Sequence, residues 1–172
     1  MEYYHRLNHI FITERLKHRL NEISNHPITT VIAPMGFGKT TAVNWWAKRE
    51  VKSHTNTIIL KQMIVTDSIT DFWNGFCRAF RGYPKLTEQL KALGYPKDRG
   101  AISVLAGMLN DALSKSESSL YLIVDDLHIL SERSLIPILL FLSRSLPECV
   151  HLVLLSRNQI FNEEERMRLG NL

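Results

Sequence analysis

Ala33-Pro34-Met35-Gly36-Phe37-Gly38-Lys39-Thr40-Thr41 decides the reading of this chain. The stretch follows Ile28-Thr29-Thr30-Val31-Ile32, a β-branched run of strand character, and precedes a segment from Thr41 to Lys48 that lacks Gly and Pro and suits a helix. Strand, glycine-rich turn and helix together are the setting of a phosphate-binding loop. Gly36 and Gly38 allow a tight turn whose backbone N–H groups point inward, toward the oxygens of a polyphosphate at a helix N-terminus. Lys39 then supplies an ammonium to the β- and γ-phosphates, and Thr40 a hydroxyl to the magnesium ion that bridges them. Ala33 stands where the pattern G-x-x-x-x-G-K-[ST] begins with Gly, a small residue that fits as long as its φ stays negative. The competing explanation is a glycine-rich turn that happens to carry Lys and Thr.

A second informative stretch is Leu120-Tyr121-Leu122-Ile123-Val124-Asp125-Asp126. An apolar run without alternation reads as a parallel strand covered on both faces. Ligands of open α/β sheets bind outside the carboxyl ends of the strands, so two carboxylates there belong beside the loop. Asp125 is the candidate for the magnesium side and Asp126 for polarising an attacking water. His128 follows closely, as a hydrogen-bonding partner or as a surface or capping residue. A third apolar run, Val150-His151-Leu152-Val153-Leu154-Leu155, ends in Ser156-Arg157, and Arg157 is the candidate sensor of the γ-phosphate.

Elsewhere the pattern alternates strand and helix, as an α/β fold requires. Residues 1 to 12 have no clear period, and Thr13 to Leu20 reads as a short capped helix with Leu16 and Leu20 on one face, carrying Arg15 and Arg19. Arg15 is either surface charge or a nucleotide contact. Thr57 to Met63 reads as a second strand, and Thr66 or Ser68 caps a helix whose Ile69, Phe72, Trp73, Phe76, Cys77 and Phe80 form one apolar stripe. Helical segments follow at about Leu86 to Leu93 and Ala101 to Leu113. Ser134 is positioned to cap a helix running to Leu146, with Pro137 in its first turn. The tail from Asn162 to Gly170 is charged, with at most a weak edge strand at Arg166 to Leu169 and no closing helix.

At 172 residues and 45% hydrophobic residues, the chain suits one domain with a sizeable core. The formal charge of +4 is modest and its cations are scattered, so nucleic-acid binding does not follow from it. Cys77 and Cys149 have no metal-ligand or C-x-x-C neighbours and read as buried free thiols in a reducing compartment. Neither a signal peptide nor a run long enough for a membrane span is visible, which points to the cytoplasm and away from membrane partners.

Together these motifs resemble the nucleotide-binding domain of the MalT-like large ATP-binding transcriptional regulators of the LuxR family, within the STAND class of P-loop ATPases. The likeness rests on Ala33 to Thr41, on Tyr121 to His128 and on Leu152 to Arg157. Asp71-Phe72-Trp73 also looks like that family's Phe-Trp helix, and Thr13-Glu14-Arg15-Leu16 stands where the family has an Arg-Leu motif, though Thr13 replaces an Arg often found there. The resemblance implies a three-layer αβα P-loop NTPase with a mostly parallel sheet of the additional-strand (ASCE) type, one strand lying between the loop strand and the Asp-Asp strand. It divides the chain into a helical lead-in over residues 1–27 and a P-loop core over 28–172, the latter a fragment of a longer protein. The implied cofactors are ATP and magnesium, held by Ala33, Pro34, Gly36, Phe37, Gly38, Lys39, Thr40, Thr41 and Arg15, with Thr40 and Asp125 on the metal. Lys39, Asp126 and Arg157 would carry the chemistry. The implied activity is an ATP switch with slow hydrolysis and self-association in the full-length protein, whose winged helix, helical repeats and DNA-binding helix-turn-helix lie outside this sequence. A non-hydrolysing nucleotide-binding interaction module is the alternative, and a small-molecule or nucleotide kinase is disfavoured by the absence of an Arg-rich lid.

Overall fold

A computed structural model describes residues 12–131 and 133–169. The reading of residues 1–11 as an aperiodic lead-in lies outside the described residues. Four strands form one parallel sheet: β1 (Ile28–Ile32), β2 (Thr57–Met63), β3 (Ser119–Asp125) and β4 (Val150–Ser156). Their order is β1-β4-β3-β2, and every neighbouring pair is parallel. The strand inserted between β1 and β3 is therefore β4, the additional strand expected there.

Alternation along the central strands sorts their side chains into two layers. Leu120, Leu122 and Val124 of β3, with Leu152 and Leu154 of β4, face a core shared with α3 (Ile69–Ala79), α4 (Pro84–Leu93), α5 (Arg99–Leu113) and α6 (Leu135–Ser145). Tyr121, Ile123, Val153 and Leu155 face the other way, onto α1 (Glu14–Asn21) and α2 (Lys39–Ser53). Both faces are covered, which is why these strands read as unbroken apolar runs. Trp46 of α2 meets Tyr121 edge-on at 5.0 Å, and Tyr121 stacks on His151 at 4.8 Å. His151 Nδ1 lies 2.9 Å from the His26 carbonyl, which anchors the turn leading into β1.

Local signals account for most helix starts. Thr13 caps α1, Ser68 caps α3 and Asp98 caps α5, each accepting from the backbone N–H three residues on. Leu16, expected beside Leu20 on the buried face of α1, is exposed, while Leu20 is buried.

Two expectations are corrected. Ser134 stands at the N-cap position of α6, but its side chain makes no capping bond; it lies 2.8 Å from the Tyr95 hydroxyl, and the Ile136 N–H is taken up by the Arg133 carbonyl. The tail is not an edge strand but a helix, α7 (Glu163–Leu169). Asn162 and Glu165 form a reciprocal box: the Glu165 N–H donates to Asn162 Oδ1 at 2.8 Å and the Asn162 N–H to Glu165 Oε2 at 2.7 Å. α7 buries no residue and is tied to the domain through Arg133, which donates to both Glu165 oxygens at 2.9 Å, and through Arg144, which donates to the Arg168 carbonyl.

Candidate nucleotide site

The site is built where β1 hands over to α2. The loop turns through Gly36 (φ 82°) and Gly38 (φ 73°), both in the left-handed region that side chains disfavour. A Cβ added at either glycine would meet nothing within 4 Å, so the glycines serve the turn and leave an open cradle. Ala33 keeps a negative φ, since Asp126 is the one non-glycine residue with positive φ among the described residues. The Ala33 N–H donates to the Ser156 carbonyl at 3.3 Å, which joins the mouth of the loop to the end of β4. Met35 and Phe37 stand largely exposed on the loop.

Lys39 opens α2, two residues before Thr41, where the sequence pattern begins the helical segment. Its Nζ donates to the carbonyls of Ala33 at 2.6 Å and Pro34 at 3.2 Å, so the ammonium is held inside the loop that it belongs to. Thr40 Oγ1 donates to Asp125 Oδ2 at 2.7 Å, across a sequence gap of 85 residues. That one bond ties the loop to the end of β3. Asp125 is buried, and its other oxygen accepts the Asp126 N–H at 2.9 Å.

Asp126 follows in the left-handed conformation (φ 59°, ψ 36°), which Asp tolerates better than most residues. This turns its side chain away from the strand direction and leaves it about one third exposed. His128 Nδ1 lies 3.8 Å from Asp126 Oδ1, within ion-pair range but too far for a hydrogen bond, and is buried without a hydrogen-bond partner. Arg157 comes directly after β4 at the same sheet edge and is exposed, with no hydrogen bond or ion pair among the described residues. Arg15 is exposed on α1 and likewise unpaired. The structure thus gathers Ala33 to Thr41 with Asp125 and Asp126, sets Arg157 at the rim, and leaves Arg15 outside the hydrogen-bonded cluster.

One feature of this edge had no signal in the sequence. Asp67, beyond β2, accepts from the Ser131 backbone N–H at 2.8 Å and from its hydroxyl at 2.5 Å. The Ser131 hydroxyl and N–H hold the Asp67 carboxyl below the ordinary range. The clasp joins the loops after β2 and β3, whose partners lie 64 residues apart. Beside Thr40 and Asp125 lies a hollow of about 270 Å³ that also touches Asn44, Lys61 and Met63. A larger concavity of about 880 Å³ is lined by α1 residues and by the free edge of β1 as far as Ile32, the residue before Ala33.

Among solved structures, the chain is similar to domain III of the replication initiation protein DnaA from Thermotoga maritima, with a TM-score of 0.50 and 11% identity, over 94% of this chain and 61% of that one. It is also similar to PCH-2 of C. elegans, with a TM-score of 0.46 and 15% identity, over 90% of this chain and 39% of that one. The chain spans less than two thirds of either matched chain. No family model matches it. The DnaA likeness is one of fold, an α/β domain whose four described strands form a parallel sheet in the order β1-β4-β3-β2. Among the described residues no helix is long and apolar enough to cross a membrane.

Proposed function

We propose that the chain binds ATP with magnesium and works as a nucleotide switch, with slow hydrolysis as the reset. The observation that carries this reading is the 2.7 Å hydrogen bond from Thr40 to the buried Asp125, which puts two hard oxygen donors side by side at the mouth of a glycine-turned loop. The residues suit the cofactor: the space around Gly36 and Gly38 is open, and Lys39 already rests on oxygen atoms of the loop.

In this reading the loop from Ala33 to Thr41 holds the phosphates, and Lys39 exchanges its carbonyl partners for phosphate oxygens. Thr40 and Asp125 hold magnesium, which when bound neutralises phosphate charge and orients the reacting groups. Asp126 accepts a hydrogen bond from the water, and Arg157 senses the γ-phosphate from the rim. Arg15 would reach the nucleotide from α1. With Asp126 about one third exposed, the reacting charges stand in a wet, high-dielectric setting, so turnover is expected to be slow.

The finer assignment, to a MalT-like regulator of the LuxR family, is supported by the sequence motifs alone. In that setting self-association and signalling contacts belong to the full-length protein, and DNA binding belongs to other segments.

Product analysis with Mg-ATP tests the reading. Phosphate release that Asp126→Asn abolishes supports it. A phosphorylated acceptor would make the protein a kinase, and binding without either product would make it a non-hydrolysing module.

A further inference from the structure

A separate concavity lies on the flank of α2, an open groove of about 530 Å³ lined by Thr41, Asn44, Trp45, Lys48, Arg49 and Lys52. These positions recur at helical spacing, while Ala42, Val43, Trp46 and Ala47 face the sheet. Three of the six lining residues are cations and none is an acid. Among the described residues the ion pairs are Lys17–Glu14, His54–Glu50, His128–Asp126, Arg133–Glu165 and Arg168–Glu164, so Lys48, Arg49 and Lys52 have no counter-charge. Glu50, the acid nearest them in sequence, is engaged with His54 at 3.1 Å.

The half-buried Trp45 ring organises the groove. The Arg49 guanidinium lies 5.7 Å from its centroid and the Lys17 ammonium, from α1, 5.9 Å. Two flexible cations are thereby held before any partner arrives, which lowers the entropy cost of binding. Lys61 donates to Asn44 at the other side of the groove and adds a further positive charge.

We propose that this groove docks an acidic peptide segment of a partner protein. Its volume exceeds what a single anion fills, and its charge is uncompensated along successive turns of the helix. Arg49 offers the planar fork that pairs with carboxylates. A single-stranded nucleic acid fits less well, because it needs aromatic faces on which bases stack. Trp45 is occupied by its two cations, and Phe37, the one large exposed aromatic among the described residues, belongs to the phosphate loop. The groove meets the nucleotide site at Thr41, which lines both, while its cations Lys48, Arg49 and Lys52 lie outside the phosphate loop.

The test is fluorescence anisotropy at low salt with two labelled probes: a peptide of alternating Glu and Ala, and an oligothymidylate. The triple variant Lys48→Gln, Arg49→Gln, Lys52→Gln should bind the peptide about tenfold more weakly, three exposed ion pairs each contributing a modest share. A control that removes equal charge elsewhere, Arg81→Gln, Lys85→Gln, Lys91→Gln, should keep the wild-type affinity. Trp45→Leu, which leaves every charge in place, should also weaken binding, a result that diffuse attraction does not give. Absence of peptide binding by wild type, or equal loss in the two triple variants, would overturn the proposal. Tighter binding of oligothymidylate, lost in the α2 triple, would replace it with a nucleic-acid surface.

Discussion

Thr40→Val removes the hydroxyl that joins the phosphate loop to β3 while keeping the β-branched shape and nearly the same helix propensity. A hydrogen bond to a charged acceptor contributes about 1.5–3 kcal/mol. Thr40 itself is exposed, so water replaces part of the loss, and a destabilisation of about 1.5 kcal/mol is expected. For a chain of this size, each kcal/mol moves the thermal midpoint by about 2–4 °C, giving a fall of about 3–6 °C without nucleotide. Asp125→Asn makes the opposite comparison, because its amide oxygen can keep the Asp126 N–H while its NH2 donates to Thr40 Oγ1, so both contacts persist and the charge is lost. Its midpoint should stay near wild type, whereas magnesium-dependent ATP binding should disappear. Circular dichroism melts followed by titration calorimetry with and without magnesium read both effects. An unchanged midpoint in Thr40→Val would show that the bond does not hold the loop. Magnesium dependence retained in Asp125→Asn would place the metal carboxylate elsewhere.

Asn162→Ala should release α7 by removing one half of its capping box, at a cost of about 1 kcal/mol, seen as faster hydrogen exchange over residues 163–169 with little change in the global midpoint. The same helix should loosen in acid. Desolvation raises the pKa of Glu165, but the Asn162 N–H and the Arg133 guanidinium outweigh it and hold the group below its ordinary value. A depressed folded pKa gives stability that is present above the unfolded value of about 4.3 and lost as pH falls through the folded one. Hydrogen exchange of α7 compared at neutral and strongly acidic pH measures this. Burial pushes the Cys77 thiol up, against the pull of Lys91, while Cys149 is only half-buried. A disulfide reagent should therefore label Cys149 first and reach Cys77 on unfolding, as read by mass spectrometry.

The central strands β3 and β4 were legible because burial on both faces leaves long apolar runs, whereas the edge strands β1 and β2 are only partly buried and show through their β-branched residues. Three of the four strands end in residues with an evident chemical use. The loop was legible for a different reason: its glycines, lysine and threonine are needed at fixed offsets along one continuous stretch. The sheet order was not in the spacing. It follows from which strands pair, and in the sequence it came only with the family resemblance. α7 was missed because attention to apolar periodicity finds nothing in a helix with no buried residue, although Asn162-x-x-Glu165 is itself a start signal. Ser134 shows the converse, a suitable capping residue diverted by Tyr95, a contact 39 residues away. The Asp67–Ser131 clasp and the orphaned Nδ1 of His128 depend on how loops from different strands meet, which no local pattern records.

The most direct measurement is the thermal midpoint with Mg-ATP and with Mg-ADP, for wild type and for Lys39→Ala. A ligand that binds only the folded state, at one hundred times its dissociation constant, adds about 2.7 kcal/mol. At about 2–4 °C per kcal/mol this is a rise of about 5–11 °C in wild type. Lys39→Ala should fold and show no rise. No shift in well-folded wild type, or an equal shift in both proteins, would contradict the assignment of Ala33 to Thr41 as a nucleotide site.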